Sequence, residues 1–220
     1  MAQTNTATLT CPICKKDHEV PIWRKIDVQE KPDAKQALLE GTFFDFSCPD
    51  CGYASRLHYG SLYVDAALRE LIYISGKADE AVADSERAAA QLAQDVPFYH
   101  KGDSLLRIVP SAEDLKEKLL IFENGLDDRL VEMCKGVALS QFPGGEDYYV
   151  TDIHYDVMGE QELLRLTCSD ETEQYVLDFA GLYEQLYGQF AALLPPLRGS
   201  GFTRVDLDYA AELMRGMQEE

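Results

Sequence analysis

The stretch FSCPDCGYAS, residues 46–55, sets two thiols, Cys48 and Cys51, three positions apart around Pro49 and closes with Gly52. The same spacing occurs earlier as Cys11-Pro12-Ile13-Cys14, so four of the six cysteines form two Cys-Pro-x-Cys motifs. A turn of this kind delivers two sulfurs to one point while its backbone amides face them, and two such turns complete a tetrahedron of soft ligands. Gly52 fits a turn whose last residue needs a positive φ. The doubled spacing therefore predicts a structural Zn²⁺ held by Cys11, Cys14, Cys48 and Cys51, with iron in the same four-thiolate geometry as the alternative. A redox pair is disfavoured because no βαβ pattern surrounds either motif. With all four positions filled by cysteine, no position is open for water or substrate. Lys15 and Lys16 sit close enough to offset the negative charge of the thiolates. His18 reads as a solvated turn histidine rather than a ligand, and His58 as a surface or packing residue.

The segments CPICKKDHEVPIWRKI, LLEGTFFDFSCPDCG and GSLYVD together resemble the bacterial and archaeal CpXC family, named for its two Cys-Pro-x-Cys motifs. The similarity returns at LRIVPSAEDLKEKLLIFENGLDDRLVEMCK, so that it covers about residues 9–140. What the resemblance implies is metal binding by Cys11, Cys14, Cys48 and Cys51. It carries over no catalytic residue.

Composition sets the remaining bounds. The chain has 220 residues, 46% of them hydrophobic, enough for a packed core. No run approaches the about 18 consecutive apolar residues of a membrane span, and the amino terminus lacks the charged start and apolar core of a secretory signal, so a cytoplasmic location is expected. The net charge of −19 is unevenly spread: residues 1–63 hold 7 Lys and Arg against 8 Asp and Glu, the remainder 13 against 31. The larger part should repel polyanions, which makes nucleic acid an unlikely partner and a protein the expected one.

Residues 1–63 read as knuckle, strand, helix, strand, knuckle and strand. In VPIWRKIDV, Ile22, Arg24, Ile26 and Val28 alternate against Trp23, Lys25 and Asp27, as on a half-buried strand. Pro32 opens a short helix that Gly41 stops, and TFFDFSC returns as a strand. Further on, LRELIYIS and DSLLRIV read as strands flanking a helix over 77–95. PSAEDLKEKLLIFENG and DDRLVEMCKGVALS predict a helix pair over about 111–140, joined at Asn124-Gly125 and opened by a Ser111…Asp114 capping pattern. An antiparallel meander follows over about 148–179. The tail contains a helix presenting Leu182, Leu186, Phe190 and Leu193 on one face, a short strand FTRVD and a final helix. The fold class is thus α+β: a zinc ribbon with rubredoxin-like knuckles and a helical insertion, residues 1–63, attached to an acidic mixed sheet-and-helix body, residues 64–220.

Other constellations have plain structural explanations. Glu123, Asp127, Asp128 and Glu132 form a carboxylate cluster, but acids in a first helical turn cap amides and complement the dipole. Tyr53, Tyr59 and Tyr63 beside the ribbon, and Tyr148, Tyr149 and Tyr155 in the meander, fit half-buried sheet packing; exposed as a group, they would face a protein partner. Cys134 and Cys168 lie on apolar helix and strand faces and read as buried thiols. No nucleotide-binding or hydrolase motif occurs. The leading reading is a zinc-stabilised, non-catalytic binding or adaptor module. An enzyme alternative uses a pocket between ribbon and body, with Asp152, His154 and Asp156 as acid-base or metal groups. A third reading, nucleic-acid binding through the ribbon, rests on Lys15, Lys16, Arg24, Lys25 and Arg56 with Trp23 and Tyr53.

Overall fold

A computed structural model of the chain describes residues 3–75, 82–176 and 178–218. It divides into two compact units, Met1–Lys116 with Arg198–Arg204, and Glu117–Leu197 with Val205–Glu220. The boundary expected at residue 63 falls inside a strand of the first unit, because Ser61–Asp65 pairs on both sides within one sheet.

The first unit is built on a five-stranded sheet of order β1-β2-β5-β6-β7, comprising β1 (Gln3–Thr10), β2 (Asp17–Asp27), β5 (Ser61–Asp65), β6 (Glu70–Ile74) and β7 (Leu105–Val109). The β2–β5 and β6–β7 pairs are parallel, the other two antiparallel. Parallel neighbours require crossover connections. The first runs through α1 (Pro32–Leu39) and a hairpin of β3 (Asp45–Ser47) with β4 (Ala54–Arg56), the second through α2 (Val82–Ala93). Every residue of β5, β6 and β7 is buried, which explains their near-continuous apolar runs. Leu62, Val64, Leu71, Tyr73, Leu106 and Ile108 pack with Ala89 and Ala93 of α2. Residues 77–81 of the helix expected over 77–95 lie outside the described residues.

Several local expectations change. Strand β1 is not apparent in the sequence because its residues are mostly polar; only Ala7 and Leu9 turn inward. Phe43 and Phe44 precede β3 rather than extend it, and join Trp23 and Tyr59 in an aromatic group with centroids 5.1–6.1 Å apart. Lys25, placed by alternation on the outer face of β2, is buried and paired with Asp95. The strand expected at FTRVD reduces to one bridge, Thr203 beside Arg107, with the Ile108 amide donating to the Thr203 carbonyl at 3.0 Å.

The second unit joins an antiparallel sheet of order β10-β9-β8 to helices. Its strands are β8 (Val150–Met158), β9 (Gln161–Cys168) and β10 (Glu173–Val176), the expected meander. Helix α3 (Ala112–Glu123) carries the unit boundary, and α4 (Asp128–Gln141), α5 (Phe179–Phe190) and α6 (Leu207–Gln218) follow. The α3–α4 pair matches the helix pair read from the sequence. Ser111 Oγ accepts from the Asp114 amide at 3.2 Å, and Gly125 takes a φ of +70° after α3. The core gathers Leu130, Val131, Met133, Cys134, Ile153, Tyr155, Leu164, Leu166, Phe179 and Leu186. Leu193 does not share that burial: α5 ends at Phe190, before Pro195-Pro196, and Leu193 is 61% exposed.

A layer of buried charge runs beside this core. The Lys118 ammonium lies 3.0 Å from Glu132 and 3.4 Å from Asp128, and Lys135 lies 2.7 Å from Glu117 and 3.0 Å from Glu132. None of the five is more than 4% exposed. Glu117 also accepts the Tyr155 amide. Capping does account for Asp127, whose carboxylate accepts the Arg129 amide at 3.0 Å. Asp128 and Glu132 instead serve the ion layer, and Glu123 alone of the cluster is exposed.

Cys134 and Cys168 are buried free thiols, 0% and 2% exposed. Burial pushes the Cys134 thiol up to about 12. The thiolate is the reactive form, which Cys134 forms poorly, and burial closes off both sulfurs, so both should resist alkylation in native protein at neutral pH. Mass spectrometry after a timed maleimide pulse should find them unmodified until denaturant is added; rapid labelling of either would contradict their place in the core.

Candidate metal centre

Both Cys-Pro-x-Cys motifs sit at the tips of antiparallel hairpins. The first joins β1 to β2, where Thr10 faces Asp17, and the second joins β3 to β4, where Ser47 faces Ala54. Their backbones repeat one pattern. The Lys15 amide donates to Cys11 carbonyl at 3.0 Å and the Cys11 amide to Lys16 carbonyl at 2.9 Å; the matching bonds from Gly52 to Cys48 and from Cys48 to Tyr53 measure 2.9 and 2.7 Å. The fifth residue of each turn is left-handed, φ +63° at Lys15 and +74° at Gly52. Glycine takes that conformation without strain, whereas Lys15 takes it against the cost of its Cβ and closes the turn by donating Nζ to the Pro12 carbonyl at 2.7 Å.

The two tips bring Cys11, Cys14, Cys48 and Cys51 into one cluster with sulfurs 3.6–3.8 Å apart. A metal held at about 2.3 Å by four tetrahedral sulfurs needs sulfur–sulfur edges of about 3.8 Å. The thiols therefore fit a four-coordinate metal, and their spacing is far too long for a disulfide. Val20 and Phe46 pack beneath, with Ala7, Leu9, Ile22, Tyr53 and Leu57 partly buried around them. The four sequence-predicted ligands all converge.

Without a cation the thiols resist ionising together. Burial raises Cys11, but amides at Cys14 and Ile13 and the thiols of Cys14 and Cys51 outweigh it and bring it down to about 7. At Cys51 the Tyr53 amide favours the thiolate, yet desolvation and the three neighbouring sulfurs push it up to about 12. One thiolate forms readily and the last does so only at high pH, the behaviour of a site that a cation completes.

His18 was not solvated as expected. Its Nε2 lies 3.3 Å from the Cys48 sulfur and 3.6 Å from Asp50, outside the four-sulfur cluster. An Nε2–H tautomer donates to that sulfur and disperses its charge, the role of outer-shell groups around a metal. Lys16 pairs with Asp50 rather than with a sulfur, and this contact holds the Asp50 carboxyl below its ordinary range. The β1–β2 pairing that carries His18 back toward Cys48 is what the sequence could not reveal. His58 is exposed.

The other candidate residues do not assemble here. Asp152 and His154 meet at 3.3 Å on β8, with His154 only 7% exposed, while Asp156 lies 3.4 Å from Arg165. Among the basic residues, Lys16, Lys25 and Arg56 are paired with Asp50, Asp95 and with Asp45 and Glu113. Tyr63 and Tyr155 are fully buried, Tyr53, Tyr59 and Tyr148 half-buried, and Tyr149 is 53% exposed, so the tyrosines pack rather than form one surface.

Searches among curated proteins and among solved structures return no match. The family model described as CpXC protein matches residues 9–135, more than half of the chain and inclusive of all four clustered cysteines. With the doubled motif, the paired hairpin tips and this match in agreement, the chain belongs to the CpXC family.

Proposed function

We propose that the chain is a zinc-stabilised, non-catalytic binding module whose two knuckles form a zinc ribbon. The observation that carries this reading is the set of four sulfurs at tetrahedral spacing, 3.6–3.8 Å apart, drawn from two hairpins 34 residues or more apart in sequence. Cys11, Cys14, Cys48 and Cys51 would hold the ion, which supplies a cross-link between the hairpins. Because four thiolates complete the shell, the metal has no position for a substrate. The hydrogen bond available from His18 favours the charged sulfur and so supports a metal held permanently. Pairing of three of the five ribbon cations with carboxylates argues against a nucleic-acid surface there. No helix among the described residues is long and apolar enough to cross a membrane.

Metal analysis of freshly purified protein should give about one zinc per chain, and cobalt exchanged into the site should show the intense charge-transfer absorption of tetrahedral thiolates. Added azide or imidazole should leave that spectrum unchanged. A spectrum that shifts with exogenous ligand would reveal an open position and overturn the structural role; iron at one per chain in fresh extract would replace zinc with iron.

A further inference from the structure

The second unit carries 5 Lys and Arg against 21 Asp and Glu, a net charge of −16. Its few cations are mostly turned inward. Lys118, Lys135 and Arg129 are buried in ion pairs, and half-buried Arg165 is paired with Asp156 and Glu173. Arg215 is the one exposed cation among the described residues of this unit. The outer surface is therefore more uniformly anionic than the net charge alone implies.

On this surface lies an open groove of about 390 Å³ with a mixed polar and apolar lining, formed by Leu193, Tyr209, Glu212, Leu213, Gly216 and Met217. Five of these residues recur on α6 at positions i, i+3, i+4, i+7 and i+8, one continuous helical stripe. Helix α6 meets the core through Leu207, Ala210, Leu213 and Met214, so Leu213 borders both the core and the groove. Apart from Leu213, the residues Tyr209, Glu212, Gly216 and Met217 are left lining the open groove. Leu193, which follows α5, is 61% exposed in this lining. Gly216 leaves helix backbone bare in the groove, with open space where a Cβ would stand.

We propose that this groove docks a basic amphipathic helix of a protein partner, laying apolar side chains along Leu193, Leu213 and Met217 and a lysine or arginine against Glu212, on a unit of net charge −16. Charge selects this occupant. A second copy of the chain would bring two surfaces of −16 together, and an anionic membrane or nucleic acid would be repelled for the same reason. A cationic helix gains both steering and burial of its apolar face, the arrangement of helix-in-groove recognition. The inference names the partner class for the binding module proposed above and rests on that reading, but its site is remote in sequence from the cysteines.

The test uses the full zinc-loaded chain and a fluorescent helical peptide of leucine and lysine in amphipathic order, compared with a peptide of the same composition whose order destroys the apolar face. The ordered peptide should bind at least about tenfold more tightly at physiological salt, a preference of about 1.4 kcal/mol. Gly216→Leu fills the groove from an open position and replaces glycine by a good helix former, so the protein should remain as thermally stable while affinity falls about tenfold. Glu212→Lys should weaken binding and reduce its salt dependence. Equal binding of the two peptides, or undiminished binding by stable Gly216→Leu, would overturn the proposal. Light scattering showing a dimer that Gly216→Leu dissociates would assign the groove to a second copy instead, and binding to phosphatidylserine vesicles would assign it to membranes. Metal content and the cobalt spectrum, read on the same samples, separate failure here from failure of the metal-site reading.

Discussion

Cys48→Ser, or Cys11→Ser, should abolish stoichiometric metal binding and unfold the two hairpin tips while leaving the central strands of the first unit in place. The tips have little else to hold them. Strands β3 and β4 are three residues each, and among the described residues the cluster beneath the sulfurs has Val20 and Phe46 as the buried companions of Cys11 and Cys48. Metal binding at structural thiolate sites is worth on the order of 10 kcal/mol, far more than one small apolar cluster supplies. The strands β5, β6 and β7 have their own core with α2, so their amides should stay protected. Hydrogen exchange resolved by peptide, on wild type with and without a strong chelator and on the serine variants, checks this. Retained protection over 45–56 after complete metal loss would show that the hairpins stand without the ion. Uniform loss of protection through β5–β7 would show instead that the ion supports the whole unit.

Lys135→Met and Lys118→Met should each destabilise the second unit by about 3–5 kcal/mol, although neither residue touches the metal centre. The cost arises because the carboxylates remain: Glu117 and Glu132 lose the ammonium 2.7–3.0 Å away, and Asp128 and Glu132 lose that of Lys118. Substituting both members of the Lys135–Glu117 pair, as Lys135→Met with Glu117→Leu, should cost less than the two single changes added together. The same groups give a pH signature. Burial pushes both ammonium groups down, but the facing carboxylates outweigh it and hold them above the ordinary lysine value of 10.5. A folded pKa above the unfolded one gives stability that is fully present below the unfolded value and is lost as pH rises through the folded value. The neutral thiol of Cys134, raised from 9.0 to about 12, acts in the same direction. Stability of this unit should therefore fall as pH climbs above about 9, and Lys135→Met should flatten that fall. Urea titrations at several pH values would settle the matter; single-variant losses below about 1 kcal/mol would mean that water reaches the layer and screens it.

The sequence was most informative where chemistry and local geometry coincide. Two Cys-Pro-x-Cys turns named all four clustered thiols, since thiolate softness and turn spacing are properties of five-residue segments. The α3–α4 pair and the β8–β9–β10 meander were likewise legible, because their capping residues, turn glycines and periods are local. Expectations failed where a residue's environment is set by chain far away in sequence. Lys25 looked outward by alternation, yet Asp95 waits 70 residues later to pair with it. Strand β1 lacks an apolar pattern and exists because β2 offers it an edge. His18 stands 30 residues from Cys48, and only the meeting of two hairpins places its ring on that sulfur. Asp128 and Glu132 had the look of capping acids, whereas Lys118 and Lys135 draw both into a buried layer. By itself, then, the sequence determined the two Cys-Pro-x-Cys turns and their four sulfurs. Tertiary structure alone decided the sulfurs' tetrahedral spacing, the inward turn of the cations and the groove beside α6, because burial and Coulomb interaction depend on which distant segments the fold brings together.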